Sequence, residues 1–191
     1  MTNPPTSRVI VPLDVPTLSE AAAMARRLAG HVAAVKIGKQ LFTAEGPDSV
    51  RTMHDLGFRV FLDLKYHDIP TTVAGAVAAA KALGVWMVNV HASGGSEMMR
   101  AAATAASGSD RPLVIAVTVL TSFSEEAYRD ATGSLRTIEE HVRHLARTTK
   151  AAGLDGGGAS PHESRTVREA CGPDFLIVTP GVRPADAAVN D

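Results

Sequence analysis

The sequence lacks the features that mark secreted, membrane-spanning and nucleic-acid-binding proteins. Its one cysteine, Cys171, cannot form a disulfide within the chain, so a reducing compartment is expected. No apolar run approaches the roughly 18 residues of a membrane span, and residues 1–7 lack the apolar core of a signal peptide. The 19 Lys plus Arg balance 20 Asp plus Glu, which argues against nucleic acid or an anionic membrane as the main partner. A soluble, cytoplasmic protein is therefore expected.

Apolar segments and helical patterns alternate along the chain, which is long enough for one domain with a substantial core. Seven segments are typical of strands, at residues 8–14, 32–36, 59–65, 85–91, 112–120, 154–160 and 174–179. Helical patterns follow six of them, at residues 17–28, 47–56, 70–83, 96–106, 135–152 and 161–170. Continuous apolar strands separated by helices predict a parallel α/β sheet covered on both faces.

Charged or polar residues recur at the carboxyl ends of these strands: Asp14, Lys36, Asp63, Lys65, His91, Thr121 and Arg183. In a (β/α)₈ barrel these ends converge on one mouth, where the active site lies. We therefore predict a single (β/α)₈ TIM-barrel domain over residues 1–191, with an open doubly wound sheet as the alternative. Seven units are one short of eight, so the last helix and the eighth strand are expected to be missing. The glycines at 156–158 offer the barrel interior few side chains.

The segment VFLDLKYHDIP, residues 60–70, carries an unusual set of charges. Asp63 and Lys65 share one face of the predicted strand because side chains alternate along it. Lys36 ends the neighbouring strand, and Asp68 follows in the loop. An alternating set of two lysines and two aspartates holds each member charged, and it offers an ammonium proton donor beside a carboxylate. The pattern is unlike a metal-ligand cluster, a nucleophile with its base or a dinucleotide-binding loop.

The pattern FxDxKxxDIPxT, residues 61–72, resembles the signature of the orotidine 5′-phosphate decarboxylase family. Shorter pieces occur in the family's order as well: LD at 13–14, VKIG at 35–38, NVHA at 89–92, VLTS at 119–122 and TPGVR at 179–183. The resemblance implies decarboxylation of orotidine 5′-phosphate to uridine 5′-phosphate and CO₂ in pyrimidine biosynthesis. It also implies a reaction without metal or cofactor.

The resemblance further implies a role for individual residues. Lys65 would protonate C6 of the pyrimidine, Asp63 would sit against the departing carboxylate, and Lys36 and Asp68 would complete the charge network. The implied substrate-binding residues are Asp14 and Lys36 at the ribose hydroxyls, Thr121 and Ser122 at the pyrimidine, Arg183 at the phosphate, and Pro180 and Thr72. In the family Asp68 and Thr72 complete the neighbouring subunit's site, which implies a homodimer.

Other interpretations stay open at this point. Asp14 can instead cap the following turn, Thr121 and Ser122 can be ordinary loop residues, and Arg183 can be a solvated charge. His91 is interpreted as a hydrogen-bonded structural histidine near the mouth.

Two other functions compete with the decarboxylase. The first is a magnesium-dependent sugar-phosphate decarboxylase or aldolase on the same barrel, although Lys36 stands where a metal site would need an acid. The second is an inactive ligand-binding barrel, because the family's later phosphate-binding groups do not occur in the sequence. Gly157, Gly158 and Ala159 also stand where the family usually carries aliphatic residues.

Overall fold

A computed structural model of the chain describes residues 7–182. Seven parallel strands form one sheet in chain order: β1 Ile10–Pro12, β2 Ala34–Gly38, β3 Val60–Tyr66, β4 Met87–His91, β5 Leu113–Val117, β6 Gly156–Gly158 and β7 Leu176–Val178. A doubly wound sheet reverses its strand order at a switch point. The unbroken order from β1 to β7 therefore excludes that alternative.

The described residues contain eight α-helices: α1 Leu18–Leu28, α2 Lys39–Glu45, α3 Pro47–Asp55, α4 Pro70–Ala82, α5 Gly95–Ala105, α6 Glu125–Thr132, α7 Ile138–Ala151 and α8 Ser164–Cys171. A 3₁₀ turn, Ala92–Gly94, links β4 to α5. Within residues 7–182 no helix is both long and apolar enough to cross a membrane.

The sheet curls, as the packing of its inner face demonstrates. Phe61, Met87 and Ile115 form one buried cluster, against which Ile10 of β1 and Val178 of β7 also pack. β1 and β7 are the two ends of the strand order, so a flat sheet could not bring Ile10 and Val178 to the same cluster. A larger core lies between the outer face and the helices. Among residues 7–182 no strand ladder joins β7 to β1, so this part of the chain forms a curled, unclosed α/β barrel.

Two helices were not predicted. Helix α2 begins directly after β2 and buries Leu41, and α6 lies inside the predicted polar loop at residues 121–134. The ends of α6 are set locally: the Ser124 hydroxyl accepts from the Ala127 N–H, and Gly133 takes the left-handed conformation that ends a helix. Both helices are short and bury a single residue, so their apolar periodicity is weak.

Several predicted element boundaries were wrong, including the end of β2 and the start of α7. Lys36 lies in the middle of β2 rather than at its end, because the strand continues through Gly38. Helix α7 begins at Ile138 instead of residue 135, because Thr137 and Glu140 form a capping box there. Leu135, which the prediction placed in the helix, is 99% exposed.

Strand β6 forms through its backbone although all three of its residues are glycine. It pairs with Ile115–Val117 on one side and with Leu176–Val178 on the other. Asp155 anchors its start, because the carboxylate accepts from the Val114 N–H at 2.8 Å and from both Arg111 guanidinium nitrogens at 2.6 and 2.8 Å. Ladder bonds and this anchor therefore position a strand that has no side chains to pack.

Candidate active site

Asp63 is the buried centre of a charged cluster on the inner face of the sheet. It is 7% exposed, and Lys65 Nζ lies 2.6 Å from its Oδ1 while Lys36 Nζ lies 3.0 Å from its Oδ2. The Asn89 side-chain amide also donates to Asp63 Oδ1, at 2.6 Å. A buried carboxylate is costly unless charges and donors compensate it, and here two ammonium groups and an amide do so.

Strand register brings these side chains together. Gly38 pairs with Asp63, and Lys36 lies two residues earlier on the same face of β2. Asn89 occupies the adjacent strand, between the paired residues Val88 and Val90. Neighbouring strands lie only about 4.8 Å apart, so three strands are enough to place both lysines and the amide around one carboxylate.

The ionisation of Asp63 is favoured despite its burial. Burial raises the pKa of Asp63, but the hydrogen bond from Lys65, the charges of Lys36 and Lys65 and the hydrogen bond from Asn89 together outweigh that effect. The pKa of the Asp63 carboxyl therefore lies below its ordinary value. The group is a permanent anion at neutral pH.

The backbone of β3 is distorted at the cluster. Its pairing with β4 stops at Leu62–Val88 and resumes at Tyr66–Val90. Lys65 has φ of 54°, in the left-handed region, and it is the one non-glycine residue with positive φ among residues 7–182. Such a conformation costs about 1–3 kcal/mol and tends to occur at functional sites.

Asp14 extends the cluster towards solvent. Its Oδ1 lies 3.4 Å from Lys36 Nζ, and its side chain is 56% exposed. Gly38 makes room for this contact, because a Cβ at that position would lie 2.8 Å from Asp14 Oδ1 and 3.4 Å from Lys36 Nζ. The contact between Asp14 and Lys36 therefore lies in space that residue 38 leaves open by having no side chain.

Two histidines lie beside the cluster. The rings of His67 and His91 have centroids 5.5 Å apart. Burial lowers the pKa of His91, and the nearby charges of His67, Lys39 and Lys65 lower it further, against a smaller opposite effect of Asp63. His91 is therefore a neutral ring at physiological pH. Its interpretation as a structural histidine stays a prediction.

The structure brings together Asp14, Lys36, Asp63 and Lys65 of the predicted site. Asp68 lies apart in the single chain: it is exposed, and its Oδ1 accepts from the Ile69 N–H at 2.6 Å. Thr72, Thr121, Ser122 and Pro180 are also exposed. Their roles, and that of Asp68, stay predictions, and Arg183 lies outside the described residues.

A shallow depression lies at the ends of β5 and β6. It has a volume of about 200 Å³, and Thr121 and Ser160 are among the residues that line it. Asp63 and its lysines do not belong to its lining among the described residues. Thr121 therefore borders a recess whose lining does not include the charged cluster.

Asn89 is the site residue that the sequence reasoning missed. It is 2% exposed, and besides its bond to Asp63 its Oδ1 accepts from the Lys65 backbone N–H at 2.8 Å. A signal was present in the sequence, because Asn89 is the one amide in the apolar strand VWMVNVH. A buried amide in such a strand requires partners.

Comparison with known proteins identifies the family. The model of the orotidine 5′-phosphate decarboxylase / HUMPS family matches residues 7–191. The chain belongs to this family. Two curated relatives are orotidine 5′-phosphate decarboxylases: that of Syntrophotalea carbinolica is 54% identical over 190 residues, and that of Moorella thermoacetica is 50% identical over 190 residues. Each alignment covers 96% of this chain, and 78% and 75% of the respective relative.

Solved structures of the same fold agree with the family assignment. The orotidine 5′-phosphate decarboxylase of Lactobacillus acidophilus superposes with a TM-score of 0.86 at 37% identity, covering 96% of this chain and 83% of that one. An uncharacterized conserved protein from Geobacillus kaustophilus superposes with a TM-score of 0.84 at 41% identity, covering 90% and 82%. The predicted TIM-barrel class is confirmed.

Proposed function

We propose that this chain decarboxylates orotidine 5′-phosphate to uridine 5′-phosphate and CO₂, as a step of pyrimidine biosynthesis. Family membership and relatives of that name at about half identity support the reaction. The observation that carries the proposal is the Asp63 carboxylate, buried between the ammonium groups of Lys36 and Lys65. That arrangement suits a reaction in which a negative charge moves and a proton is delivered.

In the proposed reaction, the bond between C6 and the substrate carboxylate breaks, and its electron pair stays on C6. The Lys65 ammonium gives its proton to C6 and becomes a neutral amine, while the carboxylate leaves as CO₂. Negative charge thus moves onto the ring carbon, where a preplaced ammonium stabilises the transition state more than the ground state. Asp63 opposes a second carboxylate beside it, and this repulsion disappears when CO₂ departs.

The remaining predicted residues have binding roles in this proposal. Asp14 and Lys36 hold the ribose hydroxyls, which fits their position at the solvent side of the cluster. The pyrimidine contacts come from Thr121 and Ser122 and the phosphate contact from Arg183, and Pro180 also belongs to the substrate-binding site. Asp68 and Thr72 complete the site of a neighbouring subunit in a homodimer, and the enzyme works in the cytoplasm.

The chemistry of the cluster favours this reaction over the magnesium-dependent alternative. Both oxygens of Asp63 already accept from ammonium groups, which neutralise the charge that a divalent cation needs. Within residues 7–182 no three His, Cys, Asp or Glu side chains form a group able to hold a metal ion. The donor set therefore fits proton delivery better than metal binding.

The proposal predicts that the purified chain converts orotidine 5′-phosphate to uridine 5′-phosphate, and that Lys65→Ala abolishes the conversion. Activity should survive a metal chelator, because no step uses a cation. The measurement is product formation by chromatography, with and without chelator, for the wild type and for Lys65→Ala.

Loss of wild-type activity on chelation would favour the magnesium-dependent relative. A folded wild type without turnover that still binds uridine 5′-phosphate in a calorimeter would favour an inactive ligand-binding barrel. Gly75→Ala is the control for loss of activity through expression and purification alone. The position is exposed in α4, and no atom lies within 4 Å of the new Cβ.

A further inference from the structure

The β3 strand carries two extra residues opposite a single position of β4. Between the paired residues Leu62–Val88 and Tyr66–Val90, the segment Asp63 to Lys65 faces Asn89 alone. The backbone ladder is interrupted there, so the N–H groups of the bulged residues need other acceptors.

The Asn89 side chain replaces the missing ladder at this bulge. Its Oδ1 accepts the Lys65 N–H at 2.8 Å, and its Nδ2 donates to Asp63 Oδ1 at 2.6 Å. The two bonds use opposite ends of one planar amide, so they fix Asp63 and the Lys65 backbone relative to each other. With 2% exposure, the amide has little competition from water.

The left-handed conformation of Lys65 gives this amide a mechanical role. Lysine adopts φ of 54° only when its surroundings enforce it. The bond from the Lys65 N–H to Asn89 holds that conformation, and the kink lets the side chain turn back so that Nζ meets Asp63 Oδ1 at 2.6 Å. An ordinary extended residue 65 would place the ammonium differently.

We propose that Asn89 is a positioning residue, which holds the Lys65 ammonium and the Asp63 carboxylate in the geometry needed for proton delivery. The proposal rests on the proposed decarboxylation for its kinetic consequence. Asn89 itself need not touch the substrate. It acts on the reaction through the two charged residues that it joins.

Two variants separate the two bonds. Asn89→Asp nearly keeps the shape and keeps an acceptor for the Lys65 N–H, but it replaces the donor to Asp63 with a second carboxylate. Asn89→Leu has a similar size and removes both bonds. Ser49→Ala is the matched control. Ser49 lies in helix α3, outside the charged cluster; it is fully buried, and its hydroxyl donates to the carbonyl of Gly46, just before the helix.

The experiment measures kcat and KM for decarboxylation and, separately, the pH titration of the Asp63 carboxyl carbon by ¹³C NMR. Asn89→Leu is expected to lower kcat by about 100-fold, the order of loss for a misplaced reacting group, with little change in KM. Both Asn89 variants are expected to move the Asp63 titration to higher pH, since a donor to the charged form is lost. Ser49→Ala is expected to lower the Tm while leaving kcat and the titration unchanged.

A purely structural Asn89 would behave like Ser49→Ala, with a lower Tm but wild-type kcat and titration in both variants, and that result would overturn the proposal. If Asn89→Leu fails to fold, Asn89→Asp decides through the same two readouts. The NMR titration does not depend on turnover. A shifted titration in a protein whose wild type shows no decarboxylation would therefore refute the proposed function while supporting the positioning role.

Discussion

Lys65 combines two features that folding proteins ordinarily avoid, a left-handed backbone in a residue with a long side chain and an ammonium drawn away from water. Its side chain is 28% exposed, and its Nζ is committed to Asp63. The strain of about 1–3 kcal/mol is offset by the bond to Asn89 and by the ion pair. A residue serving stability alone would not need this conformation, which is why we assign the cost to function.

A second single residue, Gly38, matters to the site because it has no side chain. We predict that Gly38→Ala displaces the Asp14 carboxylate, because the new Cβ would lie 2.8 Å from Asp14 Oδ1. The proposed ribose contact would weaken, so KM for orotidine 5′-phosphate should rise about 10-fold or more, the loss expected for a charged hydrogen bond of about 1.5–3 kcal/mol. The new Cβ does not touch Asp63 or Lys65, which we propose deliver the proton, so kcat should change much less.

Steady-state kinetics of Gly38→Ala and of the control Gly75→Ala test this prediction. Gly75 is exposed in α4 with open space around the new Cβ, so its substitution should leave KM unchanged. An unchanged KM for Gly38→Ala would show that Asp14 does not contact the ribose or that its side chain adapts without loss.

Among the elements, strand β6 has the fewest side-chain contacts available to hold it in the sheet. Its three glycines contribute no side chains, so the strand depends on ladder bonds to β5 and β7 and on the Asp155 anchor. The three positions are not equivalent, however. A Cβ on Gly156 would lie 2.5 Å from the Leu176 Cβ and closer still to the Leu176 carbonyl oxygen, whereas a Cβ on Gly158 would meet nothing closer than 3.8 Å.

We therefore predict different effects for alanine substitutions at the first and last positions of this strand. Gly156→Ala should destabilise the protein by about 1–3 kcal/mol, the usual cost of overpacking, because backbone atoms of β7 must move. Gly158→Ala should be neutral or stabilise by up to about 1 kcal/mol, since alanine reduces the freedom of the unfolded chain.

Urea denaturation of the two variants and the wild type gives the midpoints that check this prediction. Equal midpoints for Gly156→Ala and Gly158→Ala would mean that β7 adjusts freely to its neighbour. The comparison is internal, because both changes add one methyl group to the same strand.

In the whole molecule, the curling of the sheet decides which residues lie close enough to form one site. It brings the carboxyl ends of separate strands to one side, yet Asp68 and Thr72 remain exposed in the single chain. Ile69, between them in sequence, is an apolar residue that is 63% exposed. These features support the proposal that this loop contacts a second copy of the chain.

A shared site in a homodimer makes a prediction about mixed dimers. Lys65→Ala and Asp68→Ala should each be inactive or strongly impaired as pure dimers. In a mixed dimer one site carries both substitutions, and the other carries neither. Random exchange between equal amounts makes half of the dimers mixed, so about a quarter of the wild-type activity should return.

Decarboxylation assays before and after subunit exchange test this, with analytical ultracentrifugation to establish the dimer. A mixture no more active than its two components would argue that Asp68 acts within its own chain or has no role in the site. Two Lys65→Ala samples mixed in the same way serve as the control.

Much of the fold could be predicted because it rests on local patterns. Apolar strands alternating with helices led to a parallel barrel, and the capping and glycine signals located most helices. The short helices α2 and α6 were missed because each buries one residue, so their periodicity is too weak to detect. The end of β2 was misplaced because Lys36 looked like a terminal charge, while its partners lie on other strands.

For the site, the sequence by itself determined which charges occur and that Asp63 and Lys65 are two residues apart. Only the tertiary structure decided how they are held. The left-handed backbone of Lys65, the bulge opposite Asn89 and the space left by Gly38 all depend on register between strands that are distant in sequence. Hydrogen bonds and close contacts between strands are long-range, and no local pattern encodes them.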